Sequence, residues 1–202
     1  MDTNDDHVQS MNKRQFLGSA AVAAALPASS AIARPASTGP VLLTLTGAIG
    51  KTNRGPLDPA LDQRMKKHKV AFDKAFALDY QALAALPAIS IRPTLEYDSK
   101  VHVLRGPLLT DVLALAGTRL VATSGLTLRA VDGYVVSMTT TQARAQRFIV
   151  ATHLDGHPMG LGGLGPLWAV IDADRVPELA SKPLAERFSA CPWALYHIDV
   201  TA

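Results

Sequence analysis

Apolar and polar residues alternate along much of the chain, and the pattern predicts strands more often than helices. Val41-Leu42-Leu43-Thr44-Leu45-Thr46 reads as a strand closed by Gly47, and Val70 to Leu78 has β-type character around an Asp73-Lys74 turn. Ile89-Ser90-Ile91 predicts another short strand, with Pro93 marking its edge or exit. Leu126 to Val131 alternates with period two. Asp132-Gly133 then signals a tight turn, and Tyr134 to Met138 supplies the returning strand. Arg147 to Thr152 and Leu167 to Ile171 predict further strands, separated by an Asp155-Gly156 turn and a glycine-rich loop. Ala194 to Val200 predicts the last strand.

Helical spacing is confined to short runs. Asp79 is placed to cap a helix from Tyr80 to Leu86, which Pro87 ends. Leu108, Leu109, Val112, Leu113, Leu115 and Ala116 predict a helix over Pro107 to Ala116, with Pro107 at its first position and Gly117 just past its end. Gly50 to His68 is polar and irregular, apart from a short helix from Pro59. Strands and helices do not alternate regularly, which argues against a doubly wound parallel sheet. The expected class is α+β, mainly β, with short peripheral helices.

The first 33 residues read differently from the rest. Asn12-Lys13-Arg14 is a short basic region, Phe16 to Leu26 an apolar run broken by Pro27, and Ala31-Ile32-Ala33 a small-residue cleavage site. They predict a signal peptide over residues 1–33, a single domain over 34–202, and export to the periplasm. Met1 to Ser10 is acidic and fits no leader, which makes Met11 the expected start. Lys13-Arg14-Gln15-Phe16-Leu17 resembles a twin-arginine export signal with lysine for the first arginine.

Charge changes this picture little. Twenty Lys and Arg stand against 17 Asp and Glu, a net of +3, too slight to imply nucleic acid. The densest basic cluster, Arg64, Lys66, Lys67, His68 and Lys69, lacks aromatic neighbours on which bases could stack. Cys191 is the one cysteine, so the core holds the fold without an intramolecular disulfide, and the thiol reads as a buried small hydrophobe.

Familiar motifs fail on context. Gly160-Leu161-Gly162-Gly163-Leu164-Gly165 matches a dinucleotide fingerprint, yet a strand rather than a helix follows it. What survives is a backbone that a ligand can approach closely. His153 and His157 flank Asp155-Gly156 and precede Pro158, which makes them turn residues before metal ligands. No G-x-S-x-G elbow is present, and Cys191 has no histidine partner in sequence.

Five segments, in this order, carry a resemblance: Leu43-Thr44-Leu45-Thr46-Gly47, Leu83-Ala84-Ala85-Leu86-Pro87, Leu104 to Leu113, Asp132-Gly133-Tyr134 and Gly165-Pro166-Leu167-Trp168. From about Val41 onward the chain resembles the oxidoreductase molybdopterin-binding domain of the sulfite oxidase fold. It looks most like the small, exported, stand-alone members that bind a pterin without molybdenum. In catalytic members, a cysteine before the Gly-x-x-Leu helix entry ligates the metal. Here that segment, Arg92 to Ser99, has no cysteine, and Cys191 lies at the wrong end of the chain to stand in.

The resemblance therefore implies a periplasmic pterin-binding protein with no catalytic role, binding a reduced pterin and no metal. It further implies a sensory partner, the periplasmic domain of a membrane-bound enzyme of cyclic di-GMP signalling. The alternative is a molybdopterin-dependent oxidoreductase with atypical metal ligation. A pterin presents an edge of N–H donors to a carboxylate and flat faces to aromatic slabs. The expected contacts are Glu96 and Tyr97 with Thr94, Asp132 with Tyr134, the backbone at Gly163 and Gly165, and Trp168 as a wall or floor.

Overall fold

A computed structural model describes residues 39–202, and the leader expected over residues 1–33 lies outside them. The described residues belong to one unit, Arg34–Ala202. In chain order the elements are β1 (Val41–Gly47), α1 (Gln63–Lys67), β2 (Phe76–Asp79), α2 (Tyr80–Ala84), β3 (Ala88–Ile91), β4 (Leu104–Pro107), α3 (Leu109–Leu115) and β5 (Gly125–Ala130). There follow β6 (Val135–Thr139), α4 (Thr140–Ala145), β7 (Ile149–Ala151), β8 (His153–Leu154), β9 (His157–Pro158), β10 (Trp168–Val170), α5 (Pro177–Ala180) and β11 (Leu195–Thr201).

The main sheet runs β2-β1-β11-β5-β6. Its centre pairs the first strand with the last, β1 parallel to β11, while β11, β5 and β6 are antiparallel. Period two decides which side chains meet. Leu45, Ile198, Leu128 and Val136 stand in register across four strands and are buried on one face. The neighbouring positions Thr44, Thr46, His197 and Arg129 take the opposite face. A four-stranded sheet, β3-β4-β8-β9, and the pair β10-β7 close the core from the side. There Leu104, Phe148, Ile149, Val150 and Trp168 are all buried.

Several expected elements stand as read. Asp79 caps α2 by accepting the Ala82 N–H at 2.8 Å, and β5 shows strict alternation of buried and half-buried residues. Others differ. Pro107 ends β4 instead of opening a helix; Leu108 is the cap residue and α3 begins at Leu109. The cause is packing: Gly106 lies so close to the Val150 carbonyl that a Cβ would collide, which holds Gly106-Pro107 extended between β3 and β7. Of Val70 to Leu78, only the end from Phe76 pairs as a strand. The helix α4 was not expected, although Thr139 and Gln142 form its reciprocal capping box.

Candidate functional site

Three segments distant in sequence enclose a cavity of about 300 Å³, the lower end of the range usual for small-molecule sites. Its lining includes Glu96, Tyr97, Asp132, Tyr134, Cys191 and Trp193, with Phe188 and Ser189 beside them.

The first wall is a tight turn. Thr94 bridges to Val101, Leu95 N–H donates to the Lys100 carbonyl at 2.9 Å, and Ser99 adopts a positive φ of 57°. Leu95 is buried and anchors the turn, which leaves Glu96 and Tyr97 at its tip facing the cavity. The Tyr97 phenol is pushed up to about 12 by desolvation first, then by the charge and hydrogen bonding of the adjacent Glu96 carboxylate.

The second wall is the β5–β6 turn. Asp132 Oδ1 accepts the Tyr134 N–H at 2.9 Å, and Gly133 takes a φ of 97° that a side chain would resist. Tyr134 reaches across and donates its hydroxyl to the Ser189 carbonyl at 2.7 Å.

The third wall, Ala185 to Trp193, is tied to the first. Arg187 Nη1 donates to Asp174 Oδ1 at 2.8 Å, and Asp174 Oδ2 accepts the Thr94 N–H at 2.7 Å. Arg187 also caps the carbonyls of Ala180 and Lys182. One guanidinium and one carboxylate thus join the Glu96 turn to the segment that carries Phe188 and Cys191.

Four of the expected contacts, Glu96, Tyr97, Asp132 and Tyr134, line this one cavity. The other four lie elsewhere. Thr94 is at the base of the turn, its N–H engaged by Asp174. Gly163 and Gly165 pair locally with Leu161, and Gly165 packs against Met159 too closely for a Cβ. Trp168 is fully buried behind the wall and donates from Nε1 to the Cys191 carbonyl at 2.8 Å. His153 and His157 sit on the strands flanking a hairpin turn; among the described residues no cluster of three or more His, Cys, Asp or Glu is placed to hold a metal.

Cys191 needs a correction of another kind. Its distance along the chain suggested that it lay far from the Glu96 segment, yet it shares a cavity wall with Glu96. Burial pushes its thiol up to about 12, against the opposing hydrogen bond with the Ile171 backbone, and the Glu96 charge adds a smaller upward push. Phe188, Ser189 and Trp193 were also missed. The one local signal was the apolar, aromatic Cys191-Pro192-Trp193 just before the last strand.

No protein-family model and no curated protein matches the chain. Among solved structures it is similar to the sulfane dehydrogenase SoxCD from Paracoccus pantotrophus, with a TM-score of 0.50 and 10% identity. The match covers 79% of this chain and 37% of that one, so this chain spans little more than a third of its neighbour's length. At that identity the shared property is the fold. It is α+β, mainly strand, of the sulfite oxidase type.

Proposed function

We propose that this protein is a periplasmic, non-catalytic pterin binder that seats a reduced pterin, without molybdenum, between Glu96 and Trp193. The observation that carries the reading is the convergence of two carboxylates with Tyr97, Tyr134, Phe188 and Trp193 on one small cavity. A carboxylate accepts two parallel hydrogen bonds from an amidine-like edge, and aromatic rings cover the faces of a flat heterocycle.

Molybdopterin, which the sulfite oxidase fold brings to mind, fits this lining poorly. Its metal asks for a soft thiolate, whereas the one thiol at this cavity, Cys191, is buried in its wall. The lining has two carboxylates and no lysine or arginine, which favours an N–H-rich ligand edge over an anionic metal centre. Among the described residues no helix is long and apolar enough to cross a membrane. The role we assign is sensory: pterin occupancy is passed to the periplasmic domain of a membrane-bound enzyme of cyclic di-GMP signalling.

The test is mass spectrometry of the small molecule released on denaturing protein purified from the periplasm, followed by titration with a dihydropterin. A metal-free pterin supports the binder. Molybdopterin with stoichiometric molybdenum overturns it in favour of the oxidoreductase, and an empty protein that binds no added dihydropterin overturns it in favour of a scaffold that has lost its ligand. Glu96→Gln should weaken binding roughly tenfold or more, the loss expected for one charge-assisted contact. Unchanged affinity would remove Glu96 from the site.

A further inference from the structure

A second cavity, about 820 Å³, adjoins the first, and Asp132 lines both. Its charge is opposite. Arg64, Lys66, Lys67 and His68 line it together with Gln63 and Val131. These residues come from α1 and its C-terminal end, and the helix is fastened to the same turn that forms the second wall of the carboxylate cavity. Arg64 Nη1 donates to the Val131 carbonyl at 2.5 Å, one residue before Asp132. At the other end of the helix, His68 Nδ1 and the Tyr196 hydroxyl are 2.8 Å apart, which ties the helix to β11. Gly133, at the tip of the turn, lies beside the His68 ring.

The field therefore reverses across the width of one β-turn. On one side Glu96 and Asp132 favour N–H donors; on the other, three permanent cations favour an anion. Asp132 stands at the junction with one oxygen engaged by the Tyr134 N–H, and the cations beyond it outnumber its single charge. A bare pterin ring uses the first cavity alone and leaves the second without a role.

We infer that the ligand is a pterin whose side chain ends in an anionic group, a phosphate ester or a carboxylate, with the ring against Glu96 and the anion held by Arg64, Lys66 and Lys67. This rests on the pterin reading of the first cavity. A flexible side chain crossing Asp132 and Gly133 joins the two halves. The arrangement selects against uncharged pterins by the same cations that attract charged ones.

The experiment is a fluorescence titration of the full chain with three ligands: 7,8-dihydroneopterin, its 3′-phosphate, and dihydrofolate, whose glutamate supplies carboxylates. At low salt at least one anionic ligand should bind about tenfold tighter than the uncharged one, and the advantage should shrink in 0.5 M salt on the order of a 4 Å Debye length. The arm that gains tells phosphate from carboxylate. The double variant Lys66→Glu/Lys67→Glu should erase the advantage and bring the three ligands to similar affinity. Equal binding of all three by the unmodified protein overturns the inference and leaves the pterin reading intact. Binding of none overturns the pterin reading itself. An advantage that survives the double variant overturns the placement on α1.

Discussion

The indole Nε1 of Trp168 donates a 2.8 Å hydrogen bond to the carbonyl oxygen of Cys191. Trp168 is fully buried on β10, its ring tilted against Phe188 with centroids 6.0 Å apart, and both Phe188 and Cys191 face the carboxylate cavity. A core side chain thus sets the position of one wall of that cavity. Trp168→Phe keeps most of the volume but orphans the Cys191 carbonyl, at a cost of about 1–3 kcal/mol. Urea unfolding should show this as a lower midpoint at similar slope. An unchanged midpoint would mean that the carbonyl finds another donor.

Arg187 is expected to act on binding more than on stability. Its pair with Asp174 is partly exposed, and such pairs contribute about 0–1 kcal/mol to folding. Yet Asp174 also holds the Thr94 N–H, so the pair sets the spacing of two cavity walls. Arg187→Ala should change the melting temperature little while weakening dihydropterin binding several-fold, and Arg187→Lys should restore part of it. Equal loss in both variants and in stability would mark the pair as purely structural.

His197 makes the fold sensitive to acid. The Thr46 hydroxyl donates to Asp199 Oδ1 at 2.6 Å, so it accepts from His197 Nε2 at 3.0 Å, while Arg129 donates to Nδ1 at 3.3 Å. That network assigns a neutral ring. Burial first, then the Arg129 charge, push its pKa from 6.5 down to about 4. Between those values the unfolded chain takes a proton that the folded chain refuses. Stability should therefore fall as pH drops from 6.5 to 4, by on the order of 3 kcal/mol, with no further loss from this group below 4. Unfolding curves of His197→Gln should lack that component. A wild type equally stable at both pH values would exclude the neutral ring.

His102 has the opposite sign. Its Nδ1 lies 2.6 Å from Asp155 Oδ2 and its Nε2 3.1 Å from Asp98 Oδ2, and the two carboxylates, Asp155 first, raise its pKa above 6.5. Its stabilising contribution is complete below pH 6.5 and disappears as pH rises through the elevated folded value. The group it clamps is the turn bearing Glu96 and Tyr97. Hydrogen exchange across residues 94–103 should quicken with rising pH by more than the intrinsic base-catalysed rate. His102→Gln should show the faster exchange at every pH. Protection independent of pH in the wild type would mean the turn does not rely on this clamp.

Legibility followed locality. The β5–β6 hairpin was readable because alternation and Asp132-Gly133 act within a few residues, and α2 because Asp79 caps it from next door. The Asp155-Gly156 turn between β8 and β9 was readable for the same reason, but the pairing of Leu154 and His153 with Leu104 and Arg105, which adds that hairpin to β4, has no local signal. The same contrast runs through the site. Glu96, Tyr97, Asp132 and Tyr134 stood out as carboxylates beside aromatics, whereas Phe188, Ser189, Cys191 and Trp193 lie in an irregular stretch without periodicity. The glycine loop drew attention for its composition, but its backbone turns back on itself and its residues are not among those lining the cavity.

Read alone, then, the sequence determined the strand-rich α+β class, most of the main sheet and two of the residue pairs at the site. Each depends on side-chain period or turn chemistry, which neighbours in the chain decide among themselves. Only the tertiary structure decided that Cys191 stands beside Glu96, that Arg187 spans two walls, and that a basic helix adjoins an acidic cavity at Asp132. Such relations come from packing between distant segments. Their energy depends on three-dimensional fit and leaves no periodic trace in the chain.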